Sequence, residues 1–149
     1  MKSWLSVTSK LIARMPLWLA ALWWGSLSTI GFLVVPLLFK YLPTPAIAGG
    51  MAAKLFTAQT WLSCVCGLLL LLQSRSNVFE APVNIAQEAI VFIASGMLLA
   101  LLSEFAVAPK IVARENLPLW HSVGSIMYVL QWLCAGMAFW QLTDRARNT

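Results

Sequence analysis

Glu104, His121 and the pair Cys64-x-Cys66 are the side chains of this 149-residue sequence best suited to chemistry. Glu104 lies five residues before Pro109 inside a long apolar stretch, where an acidic side chain costs about 2.5–3.5 kcal/mol on insertion scales. Its helical neighbours Ala100, Leu101, Val107 and Ala108 offer no cation. A partner must therefore come from another helix or a water-filled cavity, or the acid must sit protonated. Two readings stay open: a cation or proton site, or an acid that reaches headgroups or clamps a neighbouring helix. His121 is the only histidine, so it cannot complete a metal site alone. At helical spacing Ser125, Tyr128 and Trp132 share its face, a stripe able to line the interior of a bundle. His121 is thus a candidate haem or metal ligand, a proton relay, or a structural residue at an interface. Thiolates at Cys64 and Cys66 would suit copper or zinc, but on a regular helix side chains two apart point about 200° from one another. With Cys134 they read as small apolar residues, and three cysteines inside apolar segments give no disulfide framework.

No Walker loop, zinc-protease His-Glu-x-x-His, dinucleotide-binding glycine pattern or serine-nucleophile elbow occurs. No catalytic residue is assigned, and the expectation is a protein that is not an enzyme. Glu104 and His121 are the metal candidates and His121 the cofactor candidate; no cofactor is expected, haem or copper being the alternative.

The elements that must position these residues are membrane spans. Apolar residues make up 60% of the chain and charged ones only 10%, too few to cover a core in water. Uninterrupted apolar runs over about 16–39, 55–73, 89–109 and 119–142 each match the roughly 20 residues that cross a bilayer. The predicted fold is all-α: a polytopic four-transmembrane-helix bundle forming one domain over 1–149. Continuous runs exclude a β-barrel, whose strands are alternating segments of about ten residues. Ala46-Ile47-Ala48 resembles a signal cleavage site, but the first run is long enough to span and is read as an anchor. Ahead of it, Trp4, Leu5, Val7, Leu11 and Ile12 oppose Ser3, Ser6, Ser9 and Lys10, which predicts a short interfacial helix over about 3–14.

Lys2, Lys10, Arg14, Arg75, Arg145 and Arg147 outnumber Lys40, Lys54, Lys110 and Arg114 on the other side, which places both termini in the cytoplasm. The minority set reads as interfacial snorkellers or as a basic mouth. The net charge of +5 is scattered rather than clustered, so the expected partners are the lipid bilayer, a second copy or other membrane proteins, and not nucleic acid.

Phe32-x-Val34-x-Pro36 and Phe105-x-Val107-x-Pro109, each followed by basic residues and then Leu42-Pro43 or Leu117-Pro118, suggest two pseudo-repeated helical hairpins. The alternative is that proline is simply tolerated near the ends of membrane helices. Gly25, Ser28, Gly67 and Gly124 are the expected helix-packing positions, with Ser26, Thr29 and Gly31 beside them on helix one. Gln59 and Ser63, spaced four apart on helix two, could serve a path or helix packing.

Trp24-Gly25, Phe32-x-Val34-x-Pro36-Leu37-Leu38-Phe39, Lys54-Leu55-Phe56, Val107-x-Pro109-x-Ile111 and Leu119-Trp120-His121-Ser122 together resemble the transmembrane protein 205-like family, also called domain of unknown function 4149. The likeness runs from about Leu17 to Leu142. It implies a four-helix integral membrane protein and carries no established activity for bacterial members. Association of a vertebrate relative with tolerance to platinum compounds implies metal-drug handling at family level, with no residue role attached. A more distant likeness to copper-resistance and haem-binding four-helix proteins departs at the histidines, since this chain has one. Two functions follow as expectations. The first is a structural or accessory component of a bacterial inner membrane. The alternative is a metal-, haem- or cation-handling transporter or binding protein using Glu104 and His121, with Lys54, Lys110 and Arg114 near one mouth.

Overall fold

The computed structural model describes residues 2–76 and 83–148, and every regular element in them is helical. The first span consists of α1 (Lys2–Thr29), a π-helical segment (Ile30–Val34) and α2 (Val35–Tyr41). Helix α1 continues through Pro16 without a break, so the backbone over 3–14 is one helix with the span. The side chains that would define an interfacial face there lie outside the described residues.

Helix α3 (Pro45–Ser76) starts well before Leu55, where hydropathy alone placed the second span. Thr44 explains the early start: its Oγ1 accepts the N–H of Ile47 at 3.3 Å and its carbonyl accepts that of Ala48 at 3.1 Å, while Pro45 takes the first helical position. The second hairpin repeats the order: α4 (Val83–Leu102), a second π segment (Ser103–Val107), α5 (Ala108–Val112) and α6 (Leu117–Asn148). The turn into α6 uses positive φ at Arg114 (56°) and Asn116 (37°), and the Asn116 carbonyl accepts from Leu119 and Trp120 at 3.0 and 3.2 Å.

Both π segments end two residues before a proline, Pro36 or Pro109. Proline lacks an N–H, and its ring collides with the carbonyl four residues earlier in an α-helix. A wide turn moves that carbonyl away. Val35 N–H instead reaches Ile30 O, and Ala108 N–H reaches Ser103 O. The repeated Phe-x-Val-x-Pro motif thus has a physical meaning: it places one π turn at the same point of each hairpin.

Among the described residues, four stretches are long and apolar enough to cross a membrane, Arg14–Tyr41, Pro45–Ser74, Ala89–Val112 and Leu117–Asp144. They form a four-helix bundle in which α1 and α4 each pack against both α3 and α6 and stand diagonally across from one another. Trp23, Leu27, Cys66, Leu70, Ile93, Ala135 and Ala138 fill the core, while Trp18, Trp61, Leu98 and Trp140 face outward, as lipid-exposed positions should. Lipid tails supply no hydrophobic drive between helices, so close approach and interhelical hydrogen bonds must hold them. Glycine provides the approach. A Cβ at Gly96 would stand 2.9 Å from Cη2 of Trp23, and one at Gly67 would collide with the Met97 side chain.

Candidate functional site: the buried polar groups

Three places carry hydrogen bonds between the spans. The first is the bundle centre, where Gln59, Thr60, Ser63 and Gln131 are all buried. Gln59 Nε2 donates to Ser26 Oγ at 3.0 Å and to Ser63 Oγ at 3.3 Å, linking α3 to α1. Gln131 Nε2 on α6 donates to the same Ser63 Oγ at 3.1 Å. The hydroxyl protons go to backbone carbonyls, Ser63 to Gln59 O at 2.8 Å and Ser26 to Trp23 O at 2.9 Å. Three helices are tied through the neighbouring pair Gln59 and Ser63.

The second place is the contact of α6 with the first π segment. Tyr128 lays its ring where Gly31 lacks a side chain and donates its hydroxyl to Leu27 O at 2.7 Å. One turn on, Trp132 Nε1 donates to Ser28 Oγ at 2.8 Å. Phe32, Trp24 and Phe139 extend this into an aromatic wall: Trp132 meets Phe32 edge-on and Trp24 at a tilt, and Trp24 stacks on Phe139.

The third is Glu104, in the second π segment and half-buried. Thr57 Oγ1 of α3 donates to its Oε1 at 2.8 Å. Its partner does come from another helix, and it is a hydroxyl rather than a cation. The described residues hold one ion pair, Lys110 with Glu115 at 2.8 Å, with the side chains 44% and 53% exposed, where such a pair contributes little.

Glu104 and His121 are not bonded to one another. No hydrogen bond or ion pair among the described residues joins them, and His121 is exposed at the start of α6. The stripe expected from His121 divides. Tyr128 and Trp132 turn inward to α1, whereas Ser125 is exposed, back-bonds to His121 O at 2.8 Å and borders an open apolar groove with Ile126, Val129 and Leu130. Among the described residues no group of three or more His, Cys, Asp or Glu side chains could hold a metal ion. Cys64, Cys66 and Cys134 are free, with Cys66 in the core.

Of the expected packing positions, Ser28 bonds Trp132, Gly67 admits Met97, and Gly124 lies in ordinary contact with Val107 and Ile111. Gly25 does not make the close contact expected of it: nothing lies within 4 Å of where its Cβ would be. That role belongs to Gly31, Gly96 and Gly136, the last against Trp24 Nε1. Gln131 and Thr57 were not singled out from the sequence. One signal was available, the parallel spacing of Phe56-x-x-Gln59 and Tyr128-x-x-Gln131, whose aromatic members meet edge-on at 5.2 Å.

A four-helix integral membrane bundle with an internally bonded polar centre is the class of protein that these features define. Within that class, the chain belongs to the family described as Domain of unknown function (DUF4149), which matches residues 18–117. That range covers the first three spans and the turn with Arg114 and Asn116, and leaves most of α6 outside. No curated protein and no solved structure gave a match.

Proposed function

We propose that this protein is a structural or accessory component of a bacterial inner membrane, with both termini in the cytoplasm and no catalytic activity. One observation carries the reading: five hydrogen bonds from side chains inside the spans tie the protein's own helices together. Ser63, Tyr128, Trp132 and Glu104 each make an interhelical bond.

Cation handling at Glu104 is the second reading. It is favoured by the π turn that carries the acid, since π turns recur at functional sites. The deciding experiment is an absorption spectrum with elemental analysis of the protein purified in mild detergent from its native membrane. The structural reading expects no Soret band and no stoichiometric metal. A stoichiometric metal or haem lost in His121→Ala or Glu104→Gln would replace it with the binding reading.

A further inference from the structure

Lys54 and Glu104 are opposite charges at one depth of the bundle. Lys54 stands nine residues into α3 from Pro45, and Glu104 eight residues before Val112, where α5 ends. At 1.5 Å per residue both lie about 12–14 Å in from the same end. Lys54 is exposed and has no ion pair among the described residues, whereas Lys110 at that end is held by Glu115. Lys54 precedes Thr57 by three positions, which sets their Cβ atoms about 5–6 Å apart on one side of the helix. Thr57 Oγ1 is in turn 2.8 Å from Glu104 Oε1. The carboxylate thus falls within the sweep of a flexible four-carbon stem rooted at Lys54.

The repeat singles out this corner between α3 and the second π segment. Gly31 and Glu104 each precede the phenylalanine of Phe-x-Val-x-Pro, 73 positions apart, and the buried sets Ala20, Trp23, Leu27 and Ile93, Gly96, Ala100 keep that offset. Phe56 and Tyr128, Gln59 and Gln131, and Ser63 and Ala135 are each 72 apart. By that count Lys54 and Thr57 correspond to Ile126 and Val129 on α6. One corner holds a cation, a hydroxyl and an acid; its counterpart, with Ile126, Val129 and Gly31, holds no polar side chain. Charges of opposite sign enter together, on two helices, at one of two equivalent places. We propose that in the bilayer the Lys54 ammonium turns onto the Glu104 carboxylate, which then accepts from both Thr57 and Lys54. An ionised side chain inside a span is costly alone, and charges there pair with one another. The pair leaves this corner without net charge and adds a second link between α3 and the π turn. The competing position, Lys54 extended to the headgroups, leaves Glu104 with Thr57 alone.

The test is rotational-echo solid-state NMR on the full-length protein in lipid bilayers, with 13C in the glutamate carboxyl groups and 15N in the lysine side chains only. Dephasing of the Glu104 carboxyl carbon by lysine nitrogen should be at least as fast as that of Glu115, which is bonded to Lys110 and serves as the reference. In Lys54→Arg, which keeps the charge and carries no label, the Glu104 dephasing should be lost while that of Glu115 stays. Glu104 showing no dephasing in the wild type would overturn the proposal and place Lys54 among the headgroups. Dephasing that persists in Lys54→Arg would overturn it too, by assigning the partner to another lysine.

Discussion

Replacing Gly31 by alanine should destabilise the bundle, while the same change at Gly25 should not. At Gly31 a Cβ would land in the Tyr128 ring, 2.9 Å from Cζ and 3.0 Å from the hydroxyl oxygen. The ring cannot back away without pulling that hydroxyl from Leu27 O at 2.7 Å, and Phe56 packs against it at 5.2 Å. Overpacking of this kind costs about 1–3 kcal/mol, and the strained or lost hydrogen bond adds about 0.5–1.5 kcal/mol. Alanine also gains about 1 kcal/mol over glycine in a helix, but that term occurs in both variants and cancels in their difference. At Gly25 it is the only term, because nothing lies within 4 Å. Gly31→Ala should therefore be less stable than Gly25→Ala by roughly 2–4 kcal/mol, about 30- to 1000-fold in the unfolding constant. Reversible unfolding in mixed micelles by added dodecyl sulfate, followed by tryptophan fluorescence, reads the difference. Truncating the ring in Gly31→Ala/Tyr128→Leu should remove most of the excess over Tyr128→Leu alone. Two glycine variants within about 0.5 kcal/mol of each other would refute the contact of Tyr128 with the π turn.

The same unfolding assay checks three further expectations. Ser63→Ala strips Gln131 Nε2 of its partner in a buried site and should cost about 1–3 kcal/mol. Gln131→Met leaves Ser63 still bonded to Gln59 and should cost about 0.6 kcal/mol, an average membrane hydrogen bond; the reverse order would mean Ser63 is not the hub. Ser28→Ala leaves the Trp132 indole without an acceptor, for a loss of about 1–2 kcal/mol, with a shift in tryptophan emission as the second readout. Arg114→Gly relieves a left-handed φ of 56° and should stabilise by up to about 1 kcal/mol, whereas the same change at Lys110, inside α5, should not.

Much of the fold was legible in the sequence because a bilayer imposes a coarse rule: long runs without charge must be helices that span. The start of α3 was not, because Gly49, Gly50 and Lys54 lower the hydropathy of a segment that Thr44 and Pro45 nevertheless cap and begin. The paired prolines were visible, but not the π turns ahead of them, since a proline near a span end is compatible with a kink, a cap or a bulge. Glu104 stood out by its charge, and its need for a partner on another helix could be argued. That the partner is Thr57, 47 residues away, depends on how α3 is rotated. Rotation also decides that Gly31, not Gly25, meets an aromatic ring, and the sequence around the two cannot settle which glycine does. Gln131 escaped notice because its partner, Ser63, lies 68 residues away across the bundle.

Glu104 offers the sharpest trial of the structural role, in which its carboxylate is a helix tie to Thr57 and not a transport group. The measurement is proton and monovalent-cation flux into sealed proteoliposomes containing wild-type protein or Glu104→Gln, in which the amide oxygen still accepts from Thr57 Oγ1. A helix tie predicts flux no faster than in empty liposomes for both proteins, with their stabilities differing by no more than about 1.5 kcal/mol, the difference between a charged and a neutral acceptor at one bond. Flux above the empty-liposome level in wild type that disappears in Glu104→Gln would contradict it.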